Sequence, residues 1–376
     1  MKTMNAAYKP LFQPLVLGGS LELKNRIVMA PMTNFSSHED GTVSDAEISY
    51  YTRRSGGAGM VITACTYVTP GGKGFPGEFA ADSDEMIPSL RRLADAIKGR
   101  GAKAILQIFH GGRMVPPALV LSGDVVSASD IPSDQNPDVT PRPLTDTEIE
   151  SIILDFGQAT RRAIEAGYDG VELHGANGYL IQQFFSPHSN RRTDRWGGTI
   201  EERLSFPLAI VDEVKRVVAE HATQPFIVGY RFSPEESETP GITMEDTLVL
   251  VNALAEKQLD YLHVSLMDFW SLPRRGADES HSRLTWIQQH VGGRVPIIGV
   301  GSIHSANDAL KALESGVELV AIGRELIVEP DWVEKIEDGR ETEIRTTLSK
   351  GDQDRLVVPD PLWQAIINAP GWFPVV

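Results

Sequence analysis

Eight short apolar segments recur along the chain, and helix-like stretches separate most of them. Most of these segments are bounded by glycine or proline and are nearly continuous in apolar character, which is typical of parallel strands buried on both faces. They span residues 25–31, 59–68, 102–110, 170–174, 225–231, 261–265, 295–301 and 319–324. Amphipathic periodicity predicts helices between them, at residues 87–98, 146–166, 201–219, 244–257 and 307–314.

This alternation predicts a (β/α)8 TIM barrel, in which the active site is built from the loops after each strand. A doubly wound open sheet is the competing architecture, but no reversal of strand order is evident. We expect residues 1–376 to form a single domain. Residues 111–145 are longer than the usual loop after a strand and are rich in Pro, Ser, Gly and Asp, so they predict a lid on the functional face, with a disordered excursion as the alternative.

Residues 325–376 are expected to be a C-terminal extension of the barrel. This extension contains the late aromatic residues Trp332, Trp363, Trp372 and Phe373. Such residues indicate a segment docked on the barrel or on a second subunit, so the sequence leaves a homo-oligomer open.

Charge and cysteine usage exclude several classes of function. A formal net charge of −16 argues against nucleic acid, whose phosphates require a basic surface. The N-terminus lacks an apolar signal core, and no run approaches the roughly 20 apolar residues of a membrane span, so we expect a cytoplasmic protein without a membrane partner. Because Cys65 is the single cysteine, the chain can hold neither an internal disulfide nor an iron–sulfur cluster.

The segment at residues 171–184 runs from a short apolar strand into side chains that can hold an anion and deliver a proton. His174 and Asn177 are hydrogen-bond donors, and Tyr179 carries a phenolic O–H. Together they can polarise a carbonyl or nitro oxygen and protonate the neighbouring carbon. A core histidine followed by a turn is the alternative interpretation.

A first glycine pattern follows the second apolar segment. Gly72, Gly74 and Gly77 have a Gly-x-Gly-x-x-Gly spacing. Pro76 and the residues after Gly77 do not open a helix there, so the helix N-terminus that would bind a pyrophosphate is missing. We therefore expect a flexible active-site loop rather than a dinucleotide site.

A second glycine pattern lies after the seventh and eighth segments. Gly301, Gly323 and Arg324 place glycine amides and a guanidinium where barrel enzymes commonly bind phosphate. We expect a mononucleotide phosphate there, and two strand ends that merely need tight turns are the alternative.

A charged, glycine-bearing loop opens a helix shortly after Tyr179. It reads Asn190-Arg-Arg-Thr-Asp-Arg195-Trp-Gly-Gly198-Thr-Ile-Glu-Glu-Arg203. With the His174 segment, it resembles the Old Yellow Enzyme family of bacterial FMN-dependent ene-reductases (NADH:flavin oxidoreductase/NADH oxidase), over roughly residues 11–334. The resemblance implies an FMN-binding TIM-barrel domain with non-covalent FMN, and NADH or NADPH as the reductant. We expect the charged side chains of this loop to cross-link it to the following helix.

The resemblance also implies the residues of a flavin site. The segment that would run along the flavin ring is Ala30, Pro31, Met32 and Thr33. Thr33 would bond the flavin carbonyl beside the reactive nitrogen, and Ala64 would let the ring approach the backbone. Gln107 and Arg231 would meet the pyrimidine edge, where the positive Arg231 would stabilise the anion of reduced flavin.

By the same resemblance, the reaction would be reduction of the C=C bond of an activated alkene, such as an enone, with nitro compounds and quinones as further substrates. His174 and Asn177 would bind the oxygen of the electron-withdrawing group, and Tyr179 would protonate the α-carbon. Phe35 stands where several bacterial relatives carry a tyrosine that contacts the substrate, so we expect a more apolar pocket.

Other functions fit the residues less well. A Schiff-base aldolase would need a lysine at a strand's carboxyl end, and the lysines lie elsewhere. A metal hydrolase would need clustered ligands, whereas His110, His174 and His263 lie on separate strands, so we expect no metal. The intact His174, Asn177 and Tyr179 set argues against a non-catalytic scaffold. The main rival is an NAD(P)H oxidase or flavin reductase of the same fold, with oxygen or free flavin as acceptor.

Overall fold

A computed structural model describes residues 3–376, in which eight parallel strands form a closed barrel. The strands pair in chain order, and the first also pairs with the last. We number them β1 (Ile27–Met29), β2 (Met60–Ile62), β3 (Lys103–Phe109), β4 (Gly170–Gly175), β5 (Ile227–Phe232), β6 (Tyr261–Val264), β7 (Ile297–Val300) and β8 (Leu319–Ile322). The eight apolar segments therefore became the barrel, as the sequence predicts.

Helices alternate with these strands and cover the barrel. They are α1 (Asp45–Arg54), α2 (Ile87–Lys98), α3 (Asp146–Ala166), α4 (Ser205–His221), α5 (Met244–Glu256), α6 (Arg283–Val291), α7 (Ala306–Glu314) and α8 (Trp332–Glu337). Shorter helices span Leu180–Phe185, Ile200–Arg203, Arg324–Val328 and Gln353–Leu356, and a late helix spans Asp360–Asn368. Helices α2 and α3 have the expected bounds, whereas α1 and α6 lie outside the five expected runs.

Helix α3 shows why some boundaries are readable from the sequence. Thr145 and Glu148 form a reciprocal capping box at its start, and Gly167 ends it in the left-handed conformation, with φ of 88°. Its apolar stripe, which includes Phe156, is buried against the barrel. The expected helix at residues 201–219 is instead divided, because a short capped turn at Ile200–Arg203 precedes α4.

The amino end of the barrel is closed by apolar side chains. An antiparallel hairpin formed by Leu15–Leu17 and Leu21–Leu23 precedes β1. Leu17, Leu21 and Leu23 pack on inward-facing residues of the strands, including Ile105 and Ile227. Polar side chains line the interior only farther along the strands, so the functional end is the carboxyl end.

The segment 111–145 is ordered and packs beside the loop after β4. It contains the strand pair Val126–Ser127 and Arg142–Pro143. Gln183 accepts hydrogen bonds from the Arg113 amide at 3.0 Å and the Ser127 hydroxyl at 2.8 Å. Residues 111–145 are thus tied to the short helix that begins after Tyr179.

The C-terminal extension is docked on the barrel. Trp363 and Phe373 are buried in the main core. Arg54 of α1 donates to the carbonyl of Leu356, and Arg324 donates to the carbonyl of Trp372 at 2.9 Å. The expectation of a docked segment is therefore confirmed. Across residues 3–376, no helix combines the length and apolar character that a membrane crossing requires.

Candidate active site

A cavity of about 500 Å³ opens at the carboxyl ends of the strands. The following residues assigned from the sequence line it: Ala30, Pro31, Met32, Asn177, Arg231, Gly301, Gly323 and Arg324. Six other residues assigned from the sequence do not line the cavity: Thr33, Phe35, Ala64, Gln107, His174 and Tyr179. Their positions on the neighbouring strands and loops are described below. Residues assigned from separate segments of the sequence thus meet at the carboxyl end of the barrel.

The cavity is rich in positive charge although the chain is acidic overall. Arg231, Arg274, Arg283 and Arg324 line it, against the carboxylates of Glu235 and Glu325. Glu235 accepts a hydrogen bond from the Arg274 amide at 3.0 Å and lies 3.6 Å from the Arg283 guanidinium. Such a positively charged cavity suits a phosphate or another anionic group.

Three basic side chains stand in register on neighbouring strands above the apolar base of the barrel. Arg231 of β5 pairs with His174 of β4 on one side and with His263 of β6 on the other. Each carries a buried nitrogen without a hydrogen-bond partner: His174 Nδ1, Arg231 Nε and His263 Nε2. Because native interiors rarely leave such atoms unpaired, this row indicates a site for a polar ligand.

Tyr179 lies against His174 in an aromatic wall. Their ring centroids are 5.0 Å apart, and Phe109 of β3 lies 4.9 Å from the Tyr179 ring in an edge-on arrangement. Phe75, from the glycine-bearing loop after β2, contacts both Tyr179 at 6.3 Å and Phe35 at 5.7 Å. Phe35 therefore extends an apolar wall of the site, in a left-handed conformation with φ of 56°.

Asn177 is held so that its amide group can donate. Its backbone is left-handed, with φ of 58°, a conformation that asparagine tolerates better than most residues. The Ser265 hydroxyl donates to the side-chain oxygen Oδ1 of Asn177 at 2.8 Å, and the backbone N–H of Asn177 donates to the Ser233 hydroxyl at 2.9 Å. Since Oδ1 is engaged, the Nδ2 hydrogens are left for a ligand in the cavity.

Burial sets the protonation states of this group. It lowers the pKa of His174 to about 3, with Arg231 adding to the effect, so the imidazole is neutral at physiological pH. Burial also raises the pKa of Tyr179 above its usual value, and Cys65 and Glu78 act in the same direction. Tyr179 is thus a protonated, weak acid, which suits donation to a strongly basic carbon.

Thr33, after β1, lies beside the only cysteine. Its Oγ1 is 3.9 Å from Cys65 Sγ. Cys65 is buried, and burial raises the pKa of its thiol, so it is a neutral thiol. Ala64, the residue before it, donates its amide to the Tyr51 hydroxyl at 2.8 Å, which fixes the backbone where β2 ends.

The last residues assigned from the sequence are Gln107 of β3 and the glycines expected to bind a phosphate. Gln107 donates through Nε2 to Glu172 at 2.7 Å, which leaves its Oε1 free to accept from a ligand. Gly301 has φ of 133°, and a Cβ atom there would lie 2.6 Å from the Phe269 amide, so only glycine fits. Among the described residues no helix begins at Gly77, so the helix N-terminus that a dinucleotide fingerprint requires does not form there.

The charged loop at residues 190–203 is structural, as expected, but its contacts differ from the expected ones. Arg195 pairs with Asp146 at 2.9 Å and with Glu150 at 2.6 Å, so it reaches α3, the preceding helix. Arg203 lies 3.5 Å from Asp246 of α5. The loop thus forms ion pairs with α3 and α5, and not only with the helix that follows it.

Several residues of the site were not identified from the sequence. They are Cys65, Phe75, Glu172, Ser233, Ser265, Arg274, Arg283 and Trp372. Ser233 and Ser265 directly follow strands β5 and β6, so their positions in the sequence could have predicted that they face the site. Arg274 lies in the loop after β6, Arg283 is the first residue of α6, and Trp372 belongs to the C-terminal extension. The strand pattern does not predict where these segments lie relative to the cavity.

Comparison with known sequences supports the same assignment. Residues 10–343 match the NADH:flavin oxidoreductase / NADH oxidase family. The chain belongs to this family. It is therefore an NAD(P)H-dependent flavin oxidoreductase whose cofactor is FMN.

Individual relatives extend this picture. The chain is 56% identical over 371 residues to a probable NADH-dependent flavin oxidoreductase of Bacillus subtilis (strain 168), covering 99% of each chain. It is 42% identical to an NADH:fumarate oxidoreductase of Klebsiella pneumoniae (strain 342), over 94% of this chain but only 38% of that longer protein. Among solved structures, morphinone reductase in complex with tetrahydroNAD is similar, with a TM-score of 0.77 and 30% identity over 88% of this chain and 91% of that one.

The residues present fit FMN. The row of buried, unpartnered nitrogens can meet a polar ring edge, and the open Gln107 Oε1 can accept from a ring N–H. Gly301, Gly323 and Arg324 lie at the same cavity, where a phosphate would be bound. FMN, when bound, supplies the hydride that the protein's side chains cannot supply.

Proposed function

We propose that this flavin oxidoreductase is an ene-reductase, which reduces the C=C bond of activated alkenes with NADH or NADPH as electron source. The observation that carries the proposal is that two neutral donors and one phenol lie at or beside the cavity, with His174 paired in register with Arg231 of the cavity wall. Asn177 lines the cavity with its Oδ1 already engaged, and the His174 ring lies 5.0 Å from the Tyr179 ring.

His174 and Asn177 bind the oxygen of the electron-withdrawing group in this proposal. Reduction of the alkene at its β-carbon places negative charge on that oxygen, and two N–H donors stabilise the charge as it develops. A neutral imidazole is suited to the role because it can donate a hydrogen bond without giving up a proton. The lowered pKa of His174, about 3, keeps it in that form.

Tyr179 protonates the α-carbon. Burial first, then nearby Cys65 and Glu78, raise the pKa of the phenol, so it retains its proton until a stronger base forms beside it. The wall formed by Phe35, Phe75 and Phe109 limits access of water to that proton. We also propose that residues 111–145, anchored through Gln183 to the helix after Tyr179, cover this side of the site.

Two relatives support the alkene class. Besides the Klebsiella protein, an NADH:acrylate oxidoreductase of Vibrio harveyi is 45% identical over 94% of this chain, although the chain spans only 35% of that protein. Fumarate and acrylate are both alkenes conjugated to a carboxylate. A third relative, from Thermoanaerobacter brockii, is an NADH oxidase with 38% identity, and it supports the alternative that oxygen is the acceptor.

Anaerobic stopped-flow separates these possibilities. The purified holoenzyme is reduced with NADH or NADPH and then mixed with cyclohexenone, a nitroalkene, acrylate or oxygen. The proposal expects fast reoxidation by at least one activated alkene, with saturated product detected by chromatography. Reoxidation by oxygen or free flavin alone would overturn the ene-reductase proposal and establish the oxidase alternative.

A further inference from the structure

A buried polar network lies one layer below the row of basic side chains. Gln107, Glu172 and Gly229 are in register on β3, β4 and β5, and Tyr261 is in register with Gly229 on β6. Glu172 and Tyr261 are fully buried. The barrel therefore holds a carboxylate beside Gln107 and one layer below Arg231, the two residues assigned to the flavin's pyrimidine edge.

Glu172 is surrounded by donors. Gln107 Nε2 donates to its Oε1 at 2.7 Å, the Tyr261 hydroxyl donates to Oε2 at 3.0 Å, and His263 Nδ1 lies 2.9 Å from the same Oε2. The Tyr261 ring can cross β5 because Gly229 has no side chain, and a Cβ there would lie 2.0 Å from the ring. Three donors meet one carboxyl group, an arrangement that stabilises the ionised form.

The charges of the neighbouring groups agree with this geometry. Burial raises the pKa of Glu172, but the contact with His263, the charge of Arg231 and the hydrogen bond from Gln107 outweigh it and hold the pKa below its usual value. Burial lowers the pKa of His263, so this imidazole is neutral and donates through Nδ1. Burial also lowers the pKa of Arg231, and Glu172 is the strongest opposing influence.

We propose that Glu172 is a positioning residue that balances the charge of Arg231 and thereby sets the reduction potential of the bound flavin. It reaches the flavin site through one hydrogen bond to Gln107 and through its charge on Arg231. A glutamine at position 172 could keep the two contacts of Oε2 through its amide oxygen, but its amide nitrogen would face Gln107, which would have to turn its own amide to accept. The property that only the carboxylate supplies is its negative charge. The negative charge of Glu172 repels the negative charge that reduced flavin acquires, and so opposes reduction. The inference rests on the proposed placement of the flavin against Gln107 and Arg231.

The test compares variants of the holoenzyme by redox titration against a reference dye. Glu172→Gln keeps the shape and removes the charge, so it should raise the ratio of reduced-flavin to oxidised-flavin affinity at least about tenfold, which is about 30 mV for a two-electron couple. Glu172→Asp keeps the charge and should remain within about threefold of the wild type. Tyr261→Phe removes one hydrogen bond without changing charge and is the matched control, with the same expectation.

Sulfite gives a second readout that does not depend on turnover. It binds oxidised flavins as an anionic adduct, so its dissociation constant should fall about tenfold in Glu172→Gln and stay near the wild-type value in Tyr261→Phe. If Glu172→Gln does not fold, the double variant Glu172→Leu, Tyr261→Phe removes the same charge and one of its donors, leaves His263 in place, and carries the same expectation.

The outcomes separate this inference from the proposed function. An unchanged potential in Glu172→Gln, or an equal shift in Tyr261→Phe, would overturn the charge-balancing role while leaving the ene-reductase proposal intact. If Glu172→Gln raises the flavin reduction potential as expected but the wild type reduces no alkene, the inference is supported and the proposed function is overturned. A wild type that binds no FMN would overturn the flavin placement on which the inference rests.

Discussion

Replacing Tyr179 with phenylalanine should remove one chemical step while leaving the fold unchanged. The Tyr179 hydroxyl has no hydrogen-bond partner among residues 3–376, and its ring contacts with Phe109, His174 and Phe75 would be preserved by phenylalanine. The free energy of unfolding should therefore change by less than about 0.5 kcal/mol. FMN content and the rate of reduction by nicotinamide should also be unchanged, because neither uses the hydroxyl.

The alkene half-reaction should respond very differently. A positioned general acid accelerates its step roughly 10²–10⁴-fold, which corresponds to about 2.7–5.4 kcal/mol of activation free energy. Anaerobic stopped-flow of the reduced variant with cyclohexenone measures this loss directly. Reoxidation by oxygen should survive, since it needs no proton delivered to carbon.

A matched control is available at the other end of the barrel. Tyr168, just before β4, is buried and also has an unpartnered hydroxyl. Tyr168→Phe should leave both half-reactions at the wild-type rate. Alkene reduction by Tyr179→Phe at the wild-type rate would refute the reasoning, because water or another side chain would then be the proton donor.

Further predictions concern the flavin ring, the oxygen site and acid stability. Thr33→Ala should lower the flavin potential, by about 1–3 kcal/mol in the stability of reduced flavin; an unchanged redox titration would contradict this. His174→Ala with Asn177→Ala should weaken p-hydroxybenzaldehyde binding at least about tenfold in a spectral titration at unchanged FMN content, and equal affinity would place the oxygen site elsewhere. Burial lowers the pKa of His110 and of His174 to about 3, against about 6.5 when unfolded, so only the unfolded chain takes up these protons as the pH falls. These histidines should therefore destabilise the fold below pH 6.5 by about 2 kcal/mol each at pH 5, while Glu47, whose pKa burial raises to about 7, acts in the opposite direction. Urea unfolding of the wild type and His110→Gln at pH 7 and pH 5 isolates the histidine contribution, and equal losses in the two proteins would contradict it.

The barrel was predictable because its strands carry a local signal. Buried parallel strands are apolar on both faces and are bounded by turn residues, so each could be located without knowledge of its neighbours. Helix α3 was predictable to the residue because the Thr145 capping box and Gly167 mark its ends. Helix α1 lacked a clear apolar period, since it buries Tyr50, Tyr51 and Arg54 along with a glutamate.

The parts of the site that were not predicted depend on contacts between distant segments. Cys65 lies beside Thr33 only because β1 and β2 are adjacent, and Glu172 meets Tyr261 only because Gly229 separates them. Strand register and side-chain direction decide such contacts, and neither can be read from one strand alone. Residues at strand ends were easier to assign because the fold directs all of them toward the same opening.

The leucine-lined hairpin at the amino end also has a consequence for turnover. Leu17, Leu21 and Leu23 are buried among the apolar side chains at that end, so the residues that the structure describes close the barrel there. A nicotinamide and an electron acceptor that both reach the flavin must therefore enter from the carboxyl end. We therefore expect an excess of either reactant to inhibit binding of the other at this end of the barrel.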